Sequence, residues 1–236
     1  MAETPRMAHL MTLFFLGAGM GTISGISVLL LSALRKSKLV SQMGAALALT
    51  CFGGYVLLLL AIGIATPSKI LPMGSWKYFC EADCHIAYSI ASVQTAAMLG
   101  TESSPSQPKG EYVVVKLKTW FDEHSISKFR GNSPLTPDPR HVFIVDANKH
   151  RFLPVQLKPS ILQDTSTPLR QPLRPGESYF TTLVFDVPKD ARGLRLLITD
   201  DDPISAALID HENSPFHGKI YLSLQPSPQT AAQASR

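Results

Sequence analysis

Two long stretches without a single charge open the chain, and strict alternation of apolar and polar residues takes over after them. Residues 7–34 (MAHLMTLFFLGAGMGTISGISVLLLSAL) and 39–65 (LVSQMGAALALTCFGGYVLLLLAIGIA) contain no Lys, Arg, Asp or Glu. Each exceeds the roughly 20 apolar residues a helix needs to cross a ~30 Å hydrocarbon layer. A backbone in lipid must satisfy its own hydrogen bonds, so both runs are expected as transmembrane helices. Together they predict a two-helix hairpin over residues 1–65. Arg6 ahead of the first run suggests a signal peptide, but a secretory apolar region of about 7–15 residues is much shorter. The first run is therefore expected to be retained.

Thr66-Pro67-Ser68 ends the second helix, because proline cannot continue it and pushes its predecessor toward an extended shape. Residues 66–75 read as a linker and 76–224 as a β domain. In EYVVVKLKTWF, Val113, Val115 and Leu117 alternate with Val114, Lys116 and Lys118, the period of a strand buried on one face. HVFIV (141–145), YFTTLVFDV (179–187), LRLLIT (194–199) and KIYLSL (219–224) read the same way. Thr181, Leu183, Phe185 and Val187 share one face, as do Ile220, Leu222 and Leu224. Asp146-Ala147-Asn148-Lys149 predicts a hairpin turn, and Arg174-Pro175-Gly176-Glu177 a type II turn. Residues 99–110, 125–140 and 157–172 read as loops, and 204–210 as a short helical turn. Short strands between turn signals predict an all-β, Ig-like antiparallel sandwich behind the membrane α-hairpin. The polar tail, residues 225–236, is expected to be disordered.

Charge narrows the picture. The formal net charge is +4, but residues 1–65 hold four basic residues and one acid, and residues 66–236 hold eighteen and seventeen. The β domain is near neutral and has no basic run of the kind that binds phosphate backbones, so nucleic acid is not an expected partner. Arg35, Lys36 and Lys38 crowd the turn between the helices, and positive charge near helix ends tends to stay cytoplasmic. That turn is expected in the cytoplasm, with both termini and the β domain outside it.

The strand and turn pattern resembles a known family. GEYVVVKLKTWF, VFIVDANKHRF and PLRPGESYFTTLVFDVPKDARGLRLLIT are similar to the telokin-like, immunoglobulin-type domains of bacterial lipoproteins and membrane proteins. The matching pieces are Gly110 to Val115, Val145 to Phe152, and Leu173 to Pro188, within roughly residues 76–224. His150 stands near where the family more often has a glycine or small polar residue. The resemblance implies an Ig-like module for adhesion, assembly or ligand binding in a bacterial inner membrane protein, with no agreed activity. A shared fold carries no function by itself.

Chemistry concentrates in KYFCEADCHIAYS (77–89). Outside the cytoplasm a Cys80–Cys84 disulfide persists. It needs a turn at Glu81-Ala82-Asp83, because a straight strand would hold the two about 13 Å apart. Other readings are a thiolate metal site, copper above all, from Cys80, Cys84 and His85; covalent haem, whose usual C-x-x-C-H signal is one residue shorter; a catalytic dithiol, for which the βαβ context is missing; and free thiols. The disulfide is the expected state. Gly17, Gly21 and Gly25 form overlapping G-x-x-x-G patterns that let helices approach closely. They are expected to pack the first helix on Gly44, Ala45, Ala48 and Gly53-Gly54 of the second, with a helix-mediated homo-oligomer as the alternative. Cys51 reads as an apolar filler, and Trp76 and Tyr78 as part of the first core strand. Asp200–Asp202, the loop residues His211, Glu212 and His217, and the adjacent Asp122, His124 and Ser125 lack metal or triad spacing. The expectation is a membrane-anchored, non-enzymatic interaction or envelope-assembly module without a cofactor, its partners the lipid bilayer and a protein. The alternative is an extracytoplasmic redox or copper-handling protein.

Overall fold

The computed structural model describes residues 8–81, 83–101, 104–157, 161, 166–200 and 202–225, with the side chains of residues 8, 9, 80, 81, 83, 84, 101 and 104 outside that description. The expected disordered tail lies outside it except for Gln225. The described chain forms two compact units.

One unit is built on two helices, α1 (Ala8–Arg35) and α2 (Lys38–Ala65), joined by a turn in which Lys36 takes a positive φ of 48°. Both are long and apolar enough to cross a membrane. Their packing rests on small residues. A methyl at Gly25 would meet Ala48 N at 2.6 Å and Gly44 O at 2.8 Å, and one at Gly21 would meet Cys51 Sγ at 2.5 Å. The backbones approach this closely only because no side chain intervenes. Gly17, the third member of the pattern, has nothing within 4 Å of its missing side chain. The connection Asp202–Lys219 completes this unit.

The other unit is the β domain. A five-stranded sheet runs β1 (Lys69–Leu71), β11 (Ile220–Ser223), β10 (Arg195–Thr199), β7 (His141–Val145), β8 (Arg151–Phe152). A four-stranded sheet runs β2 (Lys77–Glu81), β3 (Asp83–Ala96), β6 (Glu111–Phe121), β9 (Ser178–Val187). All pairs are antiparallel except β1 with β11, where Lys69, Ile70 and Leu71 face Ile220, Tyr221 and Leu222. The two sheets enclose a core of Tyr88, Ile90, Val115, Leu117, Phe121, Ile144, Phe185, Leu196, Ile198 and Leu222, all buried. This is the antiparallel sandwich that the alternation predicts. In β6, Val113, Val115, Leu117, Thr119 and Phe121 are buried while their neighbours in the run from Val114 to Trp120 stay partly exposed.

Two expectations need correction. Residues 99–110 are not simply a loop: β4 (Leu99–Thr101) and β5 (Ser104–Ser106) form a small hairpin. The linker 66–75 contains β1, three residues too short to show a period, ordered by their pairing with the last strand.

The corners explain the motif residues. Gly110 packs against the Val187 carbonyl so closely that any side chain would collide with it. Asp186 accepts the backbone N–H groups of Lys109 (2.8 Å) and Gly110 (3.0 Å), so the G-x-Y and F-D-V-P pieces hold each other. Gly176 takes φ +83° while Glu177 N–H donates to Arg174 O (3.0 Å), the expected Pro-Gly turn. In the β7–β8 turn Lys149 takes the left-handed conformation (φ 67°). His150 gives Asp146 its backbone N–H and a ring contact, both 2.8 Å. Burial pulls the Asp146 carboxyl upward, but these bonds outweigh it and hold its pKa below the usual value.

Candidate functional site

The cysteine segment is the tip of the β2–β3 hairpin. Phe79 pairs with Ile86 and Glu81 with Asp83, with a register shift between the pairs. Cys80 and Cys84 lie in β2 and β3 next to this register shift. The turn that a disulfide requires is thus present in the backbone. The side chains of Cys80 and Cys84 lie outside the described residues.

His85 follows directly, buried at 3% exposure, with its ring stacked on Phe121 at 5.6 Å. Its Nδ1 lies 2.8 Å from Ser125 Oγ, and Ser125 Oγ donates to Asp122 O at 2.8 Å. A hydroxyl has one proton, so the imidazole contact is Nδ1–H donating to Oγ. In that arrangement the contact, together with the bond to Asp122 O, orders the turn. Sequence proximity suggested His124 as the neighbour of Ser125. The fold supplies His85, forty residues away, because Asp122 N–H donates to His85 O (2.8 Å) where β6 ends beside β3.

The same turn holds Asp122, Glu123 and His124. Among the described residues their ligating atoms come together within 4.8 Å. Asp122 is already engaged: Tyr78 Oη donates to Oδ2 at 2.9 Å and His124 N–H to Oδ1 at 2.9 Å. The remaining residues are exposed, so the group resembles a solvated turn more than a cation cage. The Tyr78 hydroxyl is pushed up to about 12, first by burial, then by its bond to the Asp122 carboxylate and that group's charge.

Beside this turn, the outward face of the four-stranded sheet carries aromatic and cationic side chains. Trp76 packs on Trp120 with centroids 5.1 Å apart. Lys118 Nζ lies over Trp76 (5.7 Å) and Phe180 (5.9 Å), and Lys116 Nζ over Phe180 (5.3 Å). Trp76 therefore belongs to this half-exposed face and not to the sandwich core.

Charges that sequence reading did not single out lie at the domain's interior. Lys77 is 3% exposed and donates to Ile198 O (2.6 Å) and Ile220 O (3.0 Å). Those carbonyls belong to the other sheet, so a strand residue with an ordinary alternating signature ties both layers together. Phe79 receives Lys77 Nζ at 5.0 Å and Arg140 Cζ at 4.3 Å over its ring, and Arg140 Nη1 lies 3.9 Å from Asp200. Asp202 caps the following turn through Ile204 N–H (3.0 Å), and Asp201 lies outside the described residues. His211, Glu212 and His217 do not converge on a common point: His211 Nδ1 accepts Asn213 N–H (3.1 Å), while His217 contacts Gly218 O (2.7 Å) and Asp210 (3.4 Å).

No protein-family model matches the chain, and no curated protein matches it. Solved structures similar to it include MPT63, a secreted protein from Mycobacterium tuberculosis, at 10% identity and TM-score 0.40, covering 57% of this chain and 92% of that one. An uncharacterized β-sandwich protein from Clostridium difficile 630 is 10% identical, with TM-score 0.38 over 68% of this chain and 96% of that one. The yjhA protein from Bacillus subtilis is 11% identical, with TM-score 0.41 over 64% of this chain and 99% of that one. Identities this low say nothing of function.

Proposed function

We propose that this protein is a membrane-anchored, non-enzymatic Ig-like module, presenting its sandwich outside the cytoplasm of a bacterial plasma membrane for protein interaction or envelope assembly. The observation that carries this is the bare apolar surface of the helix pair: Leu34 is 82% exposed, Ile64 72%, Leu57 71% and Met20 70%. A core helix of a soluble domain is covered by its own protein, whereas these side chains ask for lipid. The basic turn at Arg35, Lys36 and Lys38 supports a cytoplasmic loop with both ends outside. The Gly110–Asp186 corner and the Pro175-Gly176 turn support membership of the telokin-like family. The Trp76, Trp120 and Phe180 face offers the aromatic surface that protein interfaces favour.

We further infer that Cys80 and Cys84 form a disulfide. The β2–β3 hairpin folds the chain back on itself on either side of these residues, Phe79 facing Ile86 and Glu81 facing Asp83, which supports the ~4.4–6.8 Å Cα separation that a disulfide needs.

Two measurements test the reading. Reporters fused after residue 236 should be active only outside the cytoplasm; activity in the cytoplasm overturns the topology. Protein purified from membranes under oxidising conditions should show two thiols fewer before reduction than after it, and no bound metal. Stoichiometric copper or a haem band would favour the redox or copper-handling function instead.

A further inference from the structure

The connection from β10 to β11 is out of proportion to the job of joining them. β10 and β11 are antiparallel neighbours in register, a geometry that two to five residues close in an ordinary hairpin. Residues 202–219 take that place instead, and loops beyond about 12–15 residues are uncommon, being either functional or linkers. They pack within the helical unit against the last turns of α2. Tyr55 Oη donates to Ala207 O at 2.6 Å. Gly63 lies so close to the Pro215 carbonyl that any side chain there would collide with it. Gly218 N–H donates to Thr66 O at 3.0 Å, and Lys219 N–H to Ser68 Oγ at 3.0 Å.

We propose that Asp202–Lys219 is a lipid-seated strap, lying in the headgroup layer of the extracytoplasmic leaflet with Ile204 and Phe216 as its contacts to the acyl boundary. This rests on the membrane-hairpin reading above. At ~1.5 Å per residue from the basic turn at Lys38, a ~30 Å hydrocarbon layer ends about twenty residues on. Tyr55 then sits about 5 Å beneath the boundary and Gly63 about 7 Å above it. The strap thus follows α2 through the zone where aromatic residues with one polar end are enriched.

The strap's polarity is arranged for that zone. Its polar groups turn on one another. Ser205 Oγ donates to Asp202 O (2.6 Å), Asn213 Nδ2 to Ser205 Oγ (3.0 Å), Ser214 Oγ to His211 O (2.7 Å), and Lys219 Nζ to Glu212 O. Ser205, Glu212 and Ser214 are buried. Irregular backbone survives at membrane depth only when its hydrogen bonds are met by protein. Ile209 is buried, but two large apolar side chains do the reverse: Ile204 is 57% exposed and Phe216 75%. Each follows an exposed proline, Pro203 and Pro215, so two Pro–apolar turns project from an otherwise self-satisfied segment. Phe216 is also held at φ +63°, a conformation that bulky residues rarely adopt. A strained backbone that leaves a phenylalanine uncovered is explained if the ring gains an apolar medium there.

The test uses the full chain reconstituted in phosphatidylcholine vesicles with and without acyl-brominated lipid. The variants Phe216→Trp and Ile204→Trp each add one fluorophore to the emission of Trp76 and Trp120, which is measured on the parent and subtracted. The added emission should be blue-shifted, strongly quenched by brominated lipid and resistant to aqueous iodide. Leu57→Trp, on the exposed face of α2, reports the helix hairpin separately. Quenching of Leu57→Trp by lipid together with iodide quenching of both strap positions overturns the strap and leaves the hairpin standing. Iodide quenching at all three positions overturns both.

Discussion

At the scale of single residues, the domain's chemistry lies in contacts between distant segments. The Tyr78–Asp122 bond has a consequence that can be read in alkali. The Tyr78 pKa is raised to about 12 in the folded state, against about 10 in an unfolded chain. Folding therefore favours the protonated phenol. Its contribution to stability is fully present below pH 10 and is lost as pH climbs from 10 toward 12. Tyr78→Phe should remove one late-titrating phenol from the 295 nm absorbance curve. Between pH 10 and 12 the parent's melting temperature should fall more steeply than the variant's. Parallel curves would show that the bond makes no pH-dependent contribution. No reading of neighbouring letters finds this bond, or the one from His85 to Ser125, because each joins residues forty or more positions apart. What was legible at the site was that a Cys80–Cys84 bond requires a turn between them, since a straight strand holds the two about 13 Å apart.

At the scale of elements, legibility follows the source of order. β6, β7, β9, β10 and β11 announce themselves because each buries a face or a centre that alternation or apolar density records. β1 is different: its three residues gain their order from a partner about 150 residues later in the chain, and a local window cannot hold that partner. The strap shows only its short helical turn, Ser205–Ala207, because its packing on α2 imposes no period on its own letters. The helix pair makes a prediction of its own. A leucine at Gly25 meets backbone atoms of Gly44 and Ala48 that cannot yield, and such overpacking costs about 1–3 kcal/mol. Gly25→Leu should lower the hairpin's melting temperature in detergent, while Gly17→Leu, facing open space, should leave it unchanged. Equal loss at both positions would mean that the Gly17 face is covered by a second copy of the helix.

At the scale of the whole molecule, the interrupted hairpin makes the strap separable. Replacing residues 201–217 with a two-residue Asn-Gly turn, so that Asp200 faces Gly218, keeps β10 and β11 in their present register, and such turns suit two-stranded connections. The sandwich of this variant should keep its near-ultraviolet circular dichroism and melt close to the parent, because its core lies outside the strap. Loss of the sandwich would show that the strap is part of its fold. The same variant should associate less firmly with vesicles at the strap's level, while the helices still hold it.

The parallel pairing of β1 with β11 also orders the protein's assembly in time. β1 lies only a few residues past α2, so it is among the first parts of the domain to be synthesised, and its partner is among the last. Roughly 150 residues separate them, and at about 5–20 residues per second that interval runs from several seconds to half a minute. Throughout it the β10 edge of the five-stranded sheet has no strand to close it. The domain is therefore sealed last at the point where its chain began, and a nascent protein stalled before residue 220 would hold an open sheet edge.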